Sequence, residues 1–120
     1  MAQMQKKNLD RPDETRKFDR GQVEVVHIGD FNFGRYRFEP GWRWSESVKP
    51  IVNTDSCQTY HVGYIMSGQL HVAPLDGPEV DLSAGDAYEV KPGHDAWVVG
   101  DEAVTSVEFI GAEKYAKPTG

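Results

Sequence analysis

Cysteine is nearly absent from this chain. Cys57 stands alone among 120 residues, so no internal disulfide can brace the fold, and a reducing compartment is expected. No apolar run approaches the ~18–20 residues of a membrane-spanning helix, and the polar N-terminus lacks the apolar core of a signal peptide. A clustered basic face is missing too. The 13 Lys and Arg against 19 Asp and Glu leave a net charge of −6, which argues against binding to a phosphate backbone. Leucine is scarce, with four Leu against thirteen Val and four Ile, and no window sustains the apolar spacing of an amphipathic helix. Nucleic acid, membrane and secretion therefore recede, and a cytoplasmic chain is the expectation.

What is present points to β structure. Branching at Cβ suits a pleated surface and costs side-chain freedom in a helix. Short runs of Val, Ile and aromatics alternate with turn residues such as Pro40-Gly41, Ser67-Gly68, Asp76-Gly77, Gly85-Asp86, Pro92-Gly93 and Gly100-Asp101. Strands are expected over 22–28, 31–39, 42–48, 57–66, 69–75, 78–83, 86–91, 95–99 and 103–110. That spacing favours an antiparallel all-β barrel or sandwich, whose closure removes exposed edges. The length fits one domain of ~100–150 residues. Residues 1–20 carry six basic against four acidic groups, net +2, and read as an N-terminal arm, loose or laid over the domain with Phe18 as its anchor; residues 21–120 read as the domain itself.

From Glu39 to about Ile110 the glycine-and-turn skeleton resembles the cupins, a family of small jelly-roll barrels. The first cupin motif places two histidines and a glutamate between glycines, and the second places a histidine after a P-x-G turn. Here Pro40-Gly41 opens the first motif and Gly68 closes it, while Gly85-Asp86 opens the second, which continues as Lys91-Pro92-Gly93-His94. Counting back from Gly68, His61 takes the position of the family glutamate. Counting forward from Gly41, Ser47 and Lys49 take the positions of the two histidines. A rival count anchored at His61 gives those positions to Asp55 and Cys57, and Ala96 stands where the second-motif histidine is expected.

Two chemistries stay open. Imidazole, thiolate and carboxylate suit a divalent metal, so Cys57, His61, His94 and Asp55 are candidate ligands for zinc, iron or nickel, leaving an open coordination position. Without metal, Lys49 inside an apolar barrel is a candidate acid or base beside His61, as in a dehydratase or isomerase. Arg43, Trp44, Ser47 and Tyr88 are candidate ligand-binding residues, the aromatics forming a stacking wall. A non-catalytic module holding a small metabolite is the third reading. The strand carrying His61 shows an apolar opposite face, Tyr60, Val62, Tyr64 and Met66, which needs a cover and predicts a homodimer.

Overall fold

The computed structural model describes residues 3–117; the first two residues of the arm and the last three of the chain lie outside the described residues. Among the described residues the strands are β1 Glu14–Phe18, β2 Gly21–Ile28, β3 Phe31–Phe38, β4 His61–Ser67, β5 Gln69–Pro74, β6 Val80–Ser83, β7 Ala87–Val90, β8 His94–Val98 and β9 Val104–Ile110, with short helices α1 Trp44–Ser47 and α2 Lys49–Val52. Alternation writes the faces. Strand β2 buries Val23 and Val25, β4 buries His61, Gly63 and Ile65, and β9 buries Val104, Ser106 and Glu108.

All strand pairs are antiparallel, in a six-stranded sheet of order β1-β2-β3-β9-β4-β7 facing a three-stranded sheet of order β6-β5-β8. Val25, Tyr36, Ile65 and Val104 from the large sheet meet Leu70, Val72, Leu82 and Ala96 from the small one in a single core. The all-β jelly-roll expectation holds, in the form of a two-sheet sandwich.

Three segments depart from the sequence reading. Residues 42–48 were expected as a strand but turn helical, because the N-terminus of α1 is capped from a distant strand: Asp95 on β8 accepts the Ser45 backbone N–H at 3.1 Å. Helix α2 follows with Pro50 in its first turn, where a missing N–H costs nothing, and ends on left-handed Asn53 at φ 64°. Residues 57–66 pair continuously only from His61 onward. Cys57 instead forms an isolated bridge to β8, its N–H donating to the His94 carbonyl at 2.8 Å while Gly93 N–H donates to the Cys57 carbonyl at 2.7 Å. Asp55, Cys57 and His61 therefore do not share one strand face. Within the arm, residues 14–18 add edge strand β1 to β2, and Phe18 packs its ring against Phe38 and Tyr115 at centroid distances of 6.0 and 5.8 Å.

Candidate metal centre

The site is built from three backbone segments that the sequence separates. Strand β4 turns His61 inward. The bridge to β8 brings Cys57 beside it, and the first residue of β8 delivers His94 on the same buried face as Ala96 and Val98. All three side chains are buried, and their donor atoms lie within 4.8 Å of one another. The Cys57 Sγ to His61 Nε2 distance is 3.6 Å, and the two imidazole rings stand 5.3 Å apart, edge to face.

Each histidine is oriented by its other nitrogen. His61 Nδ1–H donates to Glu108 Oε1 at 2.7 Å, and His94 Nδ1–H donates to the Lys91 carbonyl at 2.7 Å. Both Nε2 atoms are thereby the ones that face the thiol. A carboxylate or carbonyl behind each ligating imidazole is the usual way a protein sets tautomer and ring angle at a metal. Glu108 is itself held, since Tyr88 donates its hydroxyl to Oε2 at 2.7 Å.

Glu108 faces inward in alternation with Val104 and Ser106. Along the β4–β9 ladder Val62 pairs with Ile110 but Gly63 pairs with Glu108, so Phe109 is bulged out just beyond it. Two glycines keep the space open. A Cβ on Gly63 would sit 2.6 Å from Glu108 Cγ, and one on Gly111, at φ +115°, would sit 3.0 Å from Glu108 Oε1 and 3.1 Å from His61 Nδ1.

The electrostatics follow from that packing. Burial alone would raise the Cys57 thiol, but hydrogen bonds from His61 and His94 outweigh it and bring the group down to about 6. Burial likewise disfavours the His61 imidazolium, and is outweighed by the Glu108 charge and the Cys57 contact, which raise it to about 10. Desolvation and Glu108 push Tyr88 upward, so its phenol stays protonated. Without metal the pair is therefore a buried thiolate and imidazolium at neutral pH; a metal would bind the thiolate directly and would have to displace the Nε2 proton of His61.

Of the residues singled out in the sequence, Cys57, His61 and His94 converge, and Tyr88 joins them through Glu108. Asp55 does not, because it is exposed in a bend before the bridge. Lys49 begins α2 half-exposed and lines neither cavity described below, since the helical turn carries it away from the barrel interior. Ser47 is buried but donates to Asp19 Oδ2 at 3.1 Å. Arg43 lies outside the small sheet, its guanidinium 4.2 Å above the Trp97 ring and paired with Asp95 at 3.4 Å. Trp44 enters the core and walls the outer cavity. Glu108 went unnoticed in the sequence. The inward set Val104, Ser106, Glu108 on one strand carried the signal, an acid on a buried face.

Two cavities flank the centre. The inner one, about 40 Å³, touches His61 and His94 and is walled by Leu70, Val72, Leu82, Tyr88 and Ser106. The outer one, about 400 Å³, has Cys57 and Tyr115 in its wall, and Tyr115 lines both.

No family model matches the sequence, and no curated protein matches it. Solved structures do match in fold. A Cupin 2 conserved barrel domain protein from Salinispora arenicola shares 18% identity over 90% of both chains with a TM-score of 0.58. A cupin-2 domain protein from Rhodospirillum rubrum shares 16% identity over 91% of this chain and 68% of its own, with a TM-score of 0.57. KdgF from Halomonas sp. shares 21% identity over 78% of this chain and 80% of its own, with a TM-score of 0.53. The fold resemblance to cupins read from the glycine-and-turn skeleton is thus found again in three dimensions.

Proposed function

We propose that this chain, a protein of cupin fold, holds one divalent transition metal on Cys57, His61 and His94 and uses it on a small organic molecule. The observation that carries the reading is the convergence of the three buried donors, with both histidines locked to present Nε2. One thiolate and two imidazoles form a ligand set suited to zinc first, with iron and nickel as the alternatives. Three protein ligands leave a position open, and a metal there supplies Lewis acidity or an activated water. The protein's own part is to orient: Glu108 fixes His61, the Lys91 carbonyl fixes His94, and the apolar wall of the inner cavity keeps bulk water away from the donors.

The test is metal content. Protein expressed with supplemented zinc, then dialysed, is expected to carry one equivalent by elemental analysis, and Cys57→Ser, His61→Ala and His94→Ala are each expected to lose it. Background metal in the wild-type protein sinks the proposal.

A second, metal-free reading has its own support in the thiolate–imidazolium pair backed by Glu108. In that reading the acid–base groups are Cys57 and His61, and the sequence-level pairing of Lys49 with His61 is replaced because Lys49 lies outside the cup. Turnover that survives chelation and disappears in Cys57→Ser selects it.

The same reading places the chain in the cytoplasm, supported by a free thiol, and pairs it as a homodimer. The dimer is supported by large apolar side chains left exposed on β4 and β9, among them Tyr64, Met66 and Phe109. Light scattering is expected to give twice the 13.5 kDa chain mass for the wild type and the single mass for Met66→Glu with Phe109→Glu.

A further inference from the structure

We infer that Tyr115 is a gate between the two cavities. Carried on a strap of residues 111–117, its ring shuts the Cys57–His61–His94 cluster off from the outer cavity, and it swings out with the strap to admit a small molecule to the donors. The inference deepens the metal-centre reading by saying how that site is entered, and rests on that reading only for what is done behind the gate.

The two volumes create the need for a gate. The inner cavity, about 40 Å³, holds about three waters, at ~10–15 Å³ of such volume for each. No substrate body fits there beside His61 and His94. The outer cavity, about 400 Å³, lies in the range of small-molecule sites. Its wall includes Cys57, yet that residue is only 2% exposed. A molecule of useful size thus has a place to lodge and no open path to the cluster.

The lining identifies the obstacle. Among the described residues Tyr115 alone lines both cavities. It is 3% exposed, and its ring packs edge to face on Tyr36 at 5.0 Å and on Phe18 at 5.8 Å, with the His61 ring 5.6 Å away. Ring packing of this kind is broken and remade without disturbing a strand ladder.

The strap is the part of the wall that can move. It is a run of turns after β9 that joins no ladder, and its own backbone bonds are local: Lys114 N–H donates to the Gly111 carbonyl at 3.2 Å, and Lys117 N–H to the Lys114 carbonyl at 3.3 Å. Side chains fasten it to the sheet. Arg16 on β1 donates to the Ala112 carbonyl, and to the Glu113 carbonyl at 3.1 Å; the Asn32 amide donates to the Glu113 carboxylate at 2.7 Å, and Lys117 pairs with Glu14 at 3.8 Å. Ala112 beds against Gly34, where an added Cβ would collide with the Ala112 methyl. A segment held by side-chain ties and outside every ladder opens at lower free energy than the sheets beneath it. The N-terminal arm therefore supplies the latch, through Arg16, and one face of the ring's seat, through Phe18.

The experiment is iodoacetamide labelling of the metal-free full chain, followed by mass; with Cys57 the single thiol, one adduct reports the cluster. Rates are compared per thiolate, the thiolate fraction being read from ultraviolet absorbance. Tyr115→Ala is expected to label about tenfold faster than the wild type or more, with Tyr115→Leu standing in if the alanine variant fails to fold. Tyr115→Phe keeps the ring and is expected to label at the wild-type rate. Arg16→Gln and Gly34→Ala loosen the strap without touching the ring or the cluster, and are expected to fall between the wild type and Tyr115→Ala. All these rates should stay flat in urea below the unfolding transition, because strap opening exposes little surface. A wild-type rate equal to that of free cysteine, an unchanged rate in Tyr115→Ala and Tyr115→Leu, a wild-type rate in Arg16→Gln or Gly34→Ala, or labelling that follows urea as global unfolding does overturns the inference. Zinc plays no part in the labelling, so a missing metal equivalent sinks the metal-centre reading and leaves the gate standing, whereas an unchanged labelling rate sinks the gate alone.

Discussion

His61 holds Glu108 at 2.7 Å inside the cup, while His71 holds Asp81 at 2.7 Å and Glu79 at 2.6 Å on its outer surface. Both imidazoles are raised above the ordinary histidine range. For His71 the leading causes are hydrogen bonds to Glu79 and Asp81; for His61 the Glu108 charge and the Cys57 contact have to overcome burial first. Counted by partners, the outer histidine is better supplied. What separates them is solvent. His71 sits on an open cross-strand face where water and salt screen its neighbours, whereas neither His61 nor Glu108 has bulk water to replace a lost partner. The same pairing is thus a surface tie in one place and the support of the buried Cys57–His61–His94 cluster in the other.

Removing the carboxylate behind each histidine should separate the two most. Glu108→Gln removes the carboxylate that faces the His61 imidazolium and leaves only the Cys57 thiolate beside it; breaking a buried pair in this way costs about 3 kcal/mol or more, to be read from urea unfolding. The same variant should lose ~10–100-fold in zinc affinity, the usual effect of removing the group that orients a ligating histidine. A zinc affinity unchanged in Glu108→Gln would show that the carboxylate does not orient a ligand.

Crowding the inner pair comes next. Gly111→Ala places a methyl 2.7 Å from the Tyr60 carbonyl and about 3 Å from the His61–Glu108 bond, in a backbone conformation unfavourable to any side chain. The expected cost is ~1–3 kcal/mol, measured by thermal unfolding, and the outer pair should be untouched.

Changing pH separates the pairs by sign and by salt sensitivity. His61 is raised to about 10, so its contribution to stability is full below its unfolded value near 6.5 and is lost as pH climbs through about 10. Cys57 is lowered to about 6, so its contribution is full above the unfolded value near 9 and is lost as pH falls through about 6. Ultraviolet thiolate absorbance of the metal-free protein should therefore titrate near about 6, and shift upward in His61→Ala. A wild-type midpoint at the ordinary thiol value of ~8.5 would remove the ion pair from the account. The contribution of His71 also fades as pH rises, but it should largely disappear at ~1 M salt, where the Debye length is ~3 Å.

The smallest effect closes the series. His71→Ala should cost less than ~1 kcal/mol, because its partners remain hydrated. A larger loss would mean that the stacking of His71 on Trp97, at 4.6 Å, carries more of the small sheet's stability than the ion pairs do.

The strands were legible because alternation is local: Val23 and Val25 against Gln22 and Glu24 need no knowledge of the rest of the chain. His61 was legible by its count to Gly68. Cys57 and His94 were singled out as residue types, but their meeting was not, since the bridge joining them spans residues far apart in sequence. Asp55 and Lys49 show the reverse. Each had a plausible position by counting, and the helix at 44–47 together with the unpaired stretch before His61 moved both to the surface.

By itself the sequence determined a strand-rich chain punctuated by glycine turns, a single thiol and an inward histidine, because residue preference and period-two patterning act over neighbouring positions. Tertiary structure alone decided that Asp95 caps α1, that β4–β9 pairing sets Glu108 against His61, and that Cys57 is deprotonated near neutrality. Each of these depends on which distant group removes water from, or donates a hydrogen bond to, a given atom, and no local pattern encodes that.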